Sequence, residues 1–175
     1  MKSHTIFFVL VVGLLTVNLA KAEENVHFSG ALVAEPCTLP DTDTDIHVDF
    51  GTVIVKYLYQ YKRTKSQPFT IHLENCEPSV MSTVSVTFEG SADDELTDFL
   101  ALDAVSSAKG VAIGFEHADG SLIAINESGG IQQITLGNTE LLFKAFIQAK
   151  PSHINEGTLV VGEFNATSNF KLDYQ

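Results

Sequence analysis

The sequence predicts an all-β fold, an antiparallel β-sandwich of the immunoglobulin type, and three observations carry that prediction. Apolar and polar residues alternate with period two in many short stretches, Gly, Asp, Asn and Ser punctuate those stretches, and a lone pair of cysteines stands in a chain that opens with an export signal. The chain has no Trp, so an antibody-like domain, with its Trp packed on the disulfide, is disfavoured.

The export signal is residues 1–22. Lys2 precedes the apolar run 6–15, and the segment closes on Ala20-Lys21-Ala22, small residues suited to cleavage. The run is too short to span a bilayer, and no later stretch approaches the roughly 20 apolar residues a span requires. A mature chain starting at Glu23, without membrane insertion, is therefore expected. Loss of Lys2 and Lys21 takes the formal charge from −12 to about −14, since no acidic residue lies in the signal. A field of that sign repels phosphate backbones and excludes nucleic acid as a natural partner.

Cys37 and Cys76 are the two cysteines of an exported chain, so they are expected to pair with each other. A closure of this length stabilises by about 4 kcal/mol in the loop-entropy model. No C-x-x-C or neighbouring His supports a metal or redox role for them.

Along the mature chain, Val84, Val86 and Phe88 alternate with Ser85 and Thr87, and Val111, Ile113 and Phe115 follow the same rule. Further strands are expected at residues 46–55, 69–73, 122–125, 141–147 and 159–174, with turns at Asp119-Gly120 and Gly129-Gly130. Residues 92–102 read as a short helix, with Leu96, Phe99 and Leu100 on one side behind an acidic start. There is no internal repeat and no low-complexity linker, which points to one domain.

The terminal pattern is the sharpest. Gly162, Phe164, Ala166, Ser168, Phe170, Leu172 and Tyr174 alternate with polar residues, as in a long strand with one buried and one wet face. An ordinary closing core strand would read the same way. Near the mature N-terminus, Val26, Phe28, Gly30 and Leu32 repeat the device before Pro36-Cys37. They suit either the domain's own first strand or an arm that pairs with a sheet edge elsewhere, and Gly30 suits a turn or bulge equally well.

Catalytic, cofactor and metal signatures are missing from the sequence. His27, His47, His72, His117 and His153 are scattered, without H-x-H or H-E-x-x-H spacing. Asp41, Asp43 and Asp45 imitate the start of a calcium loop, yet Ile46 and Thr52 stand where Gly and Glu are needed; they read as a solvated loop. There is no G-x-S-x-G or phosphate-binding glycine loop, so no enzyme is expected. The sequons at Asn126 and Asn165 matter only in a glycosylating host.

On these residues the chain resembles the minor pilins of P-type and type 1 chaperone-usher fimbriae. The resemblance spans the signal, the arm Val26-His27-Phe28-Ser29-Gly30, the cysteine spacing, the approach Leu73-Glu74-Asn75-Cys76, a glycine fourteenth from the end (Gly162) and a tyrosine next to last (Tyr174). It implies an immunoglobulin-like domain (residues 35–175) that lacks its final strand and is completed by a donor strand, with residues 23–34 as its own donor extension. Val26, Phe28, Gly30 and Leu32 would enter a neighbour's groove. Gly162, Phe164, Ala166, Phe170, Leu172 and Tyr174 would border this chain's own groove and dock a chaperone. The implied partners are a periplasmic pilus chaperone, an outer-membrane usher and neighbouring pilin subunits, and the implied destination is a cell-surface fimbrium reached through the periplasm. A terminating subunit is the nearest alternative; a receptor-binding adhesin would add a lectin domain for which this chain is too short, and a self-contained secreted immunoglobulin-like domain would need no chaperone.

Overall fold

The computed structural model describes Val26, residues 28–32 and residues 34–175. The signal at 1–22, the expected mature start at Glu23, and His27 lie outside the described residues. The chain divides into two units, the larger being Ala34–Gln175. This unit carries α1 (Val55–Tyr61), β1 (Gln67–Cys76), β2 (Thr83–Glu89), β3 (Val111–His117), β4 (Leu122–Ile123), β5 (Ser128–Gln133), β6 (Gly137–Ala149), α2 (Pro151–Glu156) and β7 (Asn169–Tyr174).

The strands form two antiparallel sheets, one ordered β1-β6-β3-β4 and the other β5-β2-β7. Period-two patterning sets the register. Phe69 faces Phe143 and Ile71 faces Leu141 between β1 and β6, whereas Val86 faces Leu172 and Phe88 faces Phe170 between β2 and β7. A slip of one residue would turn every apolar side chain outward. The inward sets meet in one core, where Ile71, Leu73 and Leu141 are fully buried against Val84 and Val86, and where the Phe88 and Phe115 rings stack with centroids 4.5 Å apart. The Cys37–Cys76 disulfide is formed, and beside it Thr38 and Glu74 exchange both backbone hydrogen bonds, at 2.7 and 2.8 Å.

β3 is buried on both faces. Outside the sandwich, Phe99 and Phe146 meet edge to face over Gly114, where an added Cβ would lie 2.6 Å from the Phe99 ring; only glycine lets the rings approach this closely. Arg63 lies 3.4 Å over the Phe146 ring and donates to Glu116 at 2.9 Å. Glu116 is buried, which alone would raise its pKa; hydrogen bonds from Ser66 and Arg63 outweigh burial and hold the carboxylate below its usual range.

Several expected elements take another form. Residues 46–55 show alternating burial but form no strand: Val55 opens α1, and among the described residues 45–53 make no backbone–backbone hydrogen bond. Residues 92–102 are not a helix. The Asp93 carboxylate accepts the Glu95 and Leu96 N–H groups, competing with helical bonding, and Leu100 bridges Ile113 of β3. Of residues 159–174 only β7 is laddered. Upstream, Val160 bridges Lys109 and the Glu163 and Asn165 carbonyls accept from Ser107, Ala108 and Asp103. The stretch 122–125 shortens to β4, because Asn126 adopts a left-handed turn at φ 65°. Gly129-Gly130 is a bulge inside β5 rather than a turn, opposite the register shift between Ser85 and Thr87. The short helices α1 and α2 add to the sequence expectation; Leu58 anchors the first in the core, and Pro151 opens the second while Gly157 ends it at φ 70°.

Candidate functional site

β7 is an edge strand. Its upstream extension, residues 164–168, forms no backbone–backbone hydrogen bond from Phe164, Ala166, Thr167 or Ser168 among the described residues. Residues 44–50, a bend at Thr44 and Asp45 followed by an irregular run, form a second bank that makes no backbone–backbone hydrogen bond beyond Thr44 among the described residues. Between the two banks lies a groove of about 590 Å³. Its floor is the core itself, chiefly Phe69, Phe88, Ile113 and Phe115, and Phe69 and Phe88 meet edge to face at 5.8 Å. The banks touch through Phe50 and Phe164, whose ring centroids are 6.2 Å apart. A smaller cavity of about 80 Å³, lined by Leu58, Val111 and Leu159, shares Phe164 with the groove.

The chemistry of this groove is that of an unfilled strand position. Rows of free N–H and C=O groups flank an apolar floor, an arrangement that an extended peptide satisfies with main-chain bonds on its sides and alternate side chains below. Among the described residues no three His, Cys, Asp or Glu side chains cluster to hold a metal ion.

Phe164, Ala166, Phe170, Leu172 and Tyr174 all pack against the core while staying half-buried. Burial raises the Tyr174 pKa, and the negative charge of Glu35 adds to the rise. Gly162 meets another requirement: an added Cβ would lie 2.8 Å from the Ala108 nitrogen, so the chain passes residues 107–108 too closely for any side chain. In the smaller unit, Val26, Phe28 and Leu32 are exposed, Phe28 to 95%, and Gly30 has no atom within 4 Å of where a Cβ would stand.

Sequence reasoning missed two features. One is the bank at 44–50, whose residues 46–50 fell in the ordinary strand expected at 46–55, because periodicity reports which face is apolar and not whether the backbone has a partner. The other is Asp43. Rather than being solvated with Asp41 and Asp45, it is 6% exposed, and its carboxylate accepts the His72 N–H at 2.5 Å and contacts His72 Nδ1 at 2.8 Å. Burial raises its pKa, but the hydrogen bonds from His72 and Thr42 overcome burial and hold it below the usual range.

The family model described as "Fimbrial protein" matches residues 26–175. The chain is 35% identical to the fimbrial-like protein YfcP of Escherichia coli K12, over 95% of this chain and 94% of that protein. It is 28% identical to the fimbrial adapter PapK of Escherichia coli, over 86% and 88% of the two chains. Its fold is similar to a chain in the structure of a chaperone-usher pilus, with TM-score 0.69 and 25% identity over 89% of this chain and 97% of that one. No helix among the described residues is long and apolar enough to cross a membrane.

Proposed function

We infer that this chain, which belongs to the fimbrial protein family, is a structural minor pilin of a chaperone-usher fimbria that polymerises by donor-strand exchange. The observation that carries the reading is the groove between residues 44–50 and 164–170, floored by core aromatics and flanked by backbone that, among the described residues, is unpartnered at 45–50 and at Phe164, Ala166, Thr167 and Ser168. A periplasmic chaperone lends a strand to this groove, and at the outer-membrane usher the arm of the next subunit replaces it. Val26, Phe28, Gly30 and Leu32 form the arm by which this subunit enters its own neighbour. Phe164, Ala166, Phe170, Leu172 and Tyr174 form the edge against which the lent strand lies, and Gly162 lets that edge start close to residues 107–108. The domain boundaries are then 1–22 for the export signal, 23–34 for the donor extension and 35–175 for the pilin domain.

The protein works by binding and not by catalysis, and it ends its route through the periplasm on the cell surface. Minor status is supported by the likeness to a protein called a fimbrial adapter. The physical need for a partner is plain: an apolar groove with open backbone on both sides invites aggregation until it is covered. Co-expression tests the reading. The mature chain should be recovered from the periplasm in a complex with its chaperone and degraded or aggregated without it. Accumulation of as much soluble, protease-resistant monomer in the periplasm without the chaperone as with it would show that the fold is complete in itself.

A further inference from the structure

We propose that Asp43 and His72 form a latch that holds the 44–50 bank in register for an incoming strand, which makes Asp43 a positioning residue for strand exchange. The proposal rests on the donor-strand reading of the groove. Asp43 ends a 3-10 turn at Asp41–Asp43. Upstream, the chain is fixed by the Cys37–Cys76 bond and the Thr38–Glu74 bridge. Downstream, Leu58 of α1 is the next buried side chain, and residues 45–53 make no backbone–backbone hydrogen bond among the described residues. The bank is thus a span whose backbone is bonded at its ends and unbonded along its length, resting on the core only through the half-buried side chains of Ile46, Val48, Phe50 and Val53.

Asp43 is the last firm hold before that span. Its carboxylate reaches β1 at the backbone N–H of His72 as well as at the ring, so it reads the position of the sheet itself. A buried carboxylate held by such bonds is hard to displace, because release leaves a desolvated charge without partners. His72 itself is fixed in the sheet, paired in register with Glu140 of β6. An incoming strand must pair with N–H and C=O groups along 45–50, and a shift of one residue there would present the wrong set of side chains. Fixing the head of the span removes that freedom before the strand arrives.

The test compares the wild-type chain with Asp43→Ala, Asp43→Asn and His72→Ala, each as the full mature chain in complex with its chaperone. Amide exchange is followed at residues 45–50 and, as an internal control, at 141–147 of β6; the lifetime of the complex is measured alongside. Asp43→Ala should speed exchange at 45–50 and shorten the lifetime by about tenfold, leaving 141–147 unchanged. Asp43→Asn, which retains an oxygen for the His72 N–H, should recover both to within about threefold of wild type. His72→Ala keeps the backbone bond and loses the ring bond, so an effect of about threefold is expected even where the Asp43→Ala complex cannot be obtained. The latch is overturned if 45–50 in Asp43→Ala exchanges as in wild type, or if 141–147 accelerates in step with it. Rapid exchange at 45–50 in the wild-type complex would instead overturn the donor-strand reading, and the latch with it.

Discussion

β6 and the terminal segment 164–174 are written in the same alternating code, and the molecule treats them differently. In β6, Phe143 and Ala145 are at most 2% exposed, because β1 and β3 pair with both sides of the strand there. In the terminal segment, Phe164, Ala166, Phe170, Leu172 and Tyr174 stay half-buried, because β2 covers one side of β7 and, among the described residues, no strand covers the other. The lesson is that alternation specifies a face, whereas burial along that face reports the neighbours. Half-burial sustained over several alternating residues marks a missing strand.

The greatest expected effect comes from removing the edge altogether. Deleting residues 170–175 takes the strand partners of Val84, Ser85, Val86, Thr87 and Phe88 away from β2, and no protease-resistant product should be recovered from the periplasm even with the chaperone present. Recovery of a stable complex would mean that β7 is dispensable and the comparison is misdrawn. Next in size, Leu141→Ala should destabilise by about 2–5 kcal/mol, as a cavity in a fully buried site does, and the loss measured by denaturant titration should be the same with the groove empty or occupied.

Phe170→Ala should behave otherwise. The half-buried ring has less to lose while the groove is open, so about 2 kcal/mol is expected there, rising toward about 3–5 kcal/mol once a donor strand covers it. Equal losses in both states would remove the distinction between the two segments. The smallest effect concerns acid. Asp43 and Glu116 have folded pKa values below the usual carboxylate range, so the stability they contribute is present above that range and is lost as the pH falls through the folded values. Melting temperature should stay level from neutral pH to about 5 and fall beneath 4, with a shallower fall in Asp43→Asn.

Much of this architecture was legible in the residues. The alternation of Val84, Val86 and Phe88, or of Val111, Ile113 and Phe115, placed β2 and β3, although β3 is buried on both faces rather than one. Residues 46–50 carried the same signal and yet form no ladder, since a pattern of side chains contains no information on backbone partners. Residues 92–102 failed for a local reason: Asp93, read as a helix start, uses its carboxylate to close a turn on Glu95 and Leu96. Asp43 was illegible because its burial depends on His72, a residue of β1 that only the fold brings near.

The groove is the central claim, and amide hydrogen exchange on the mature chain, refolded alone and then bound to its chaperone, tests it most directly. Alone, residues 45–50 and 164–168 should exchange rapidly while 141–147 of β6 are protected; in the complex, both banks should become protected and β6 should change little. Banks already protected in the chain alone, or still unprotected in the complex, would contradict the account of a strand position left open for another molecule.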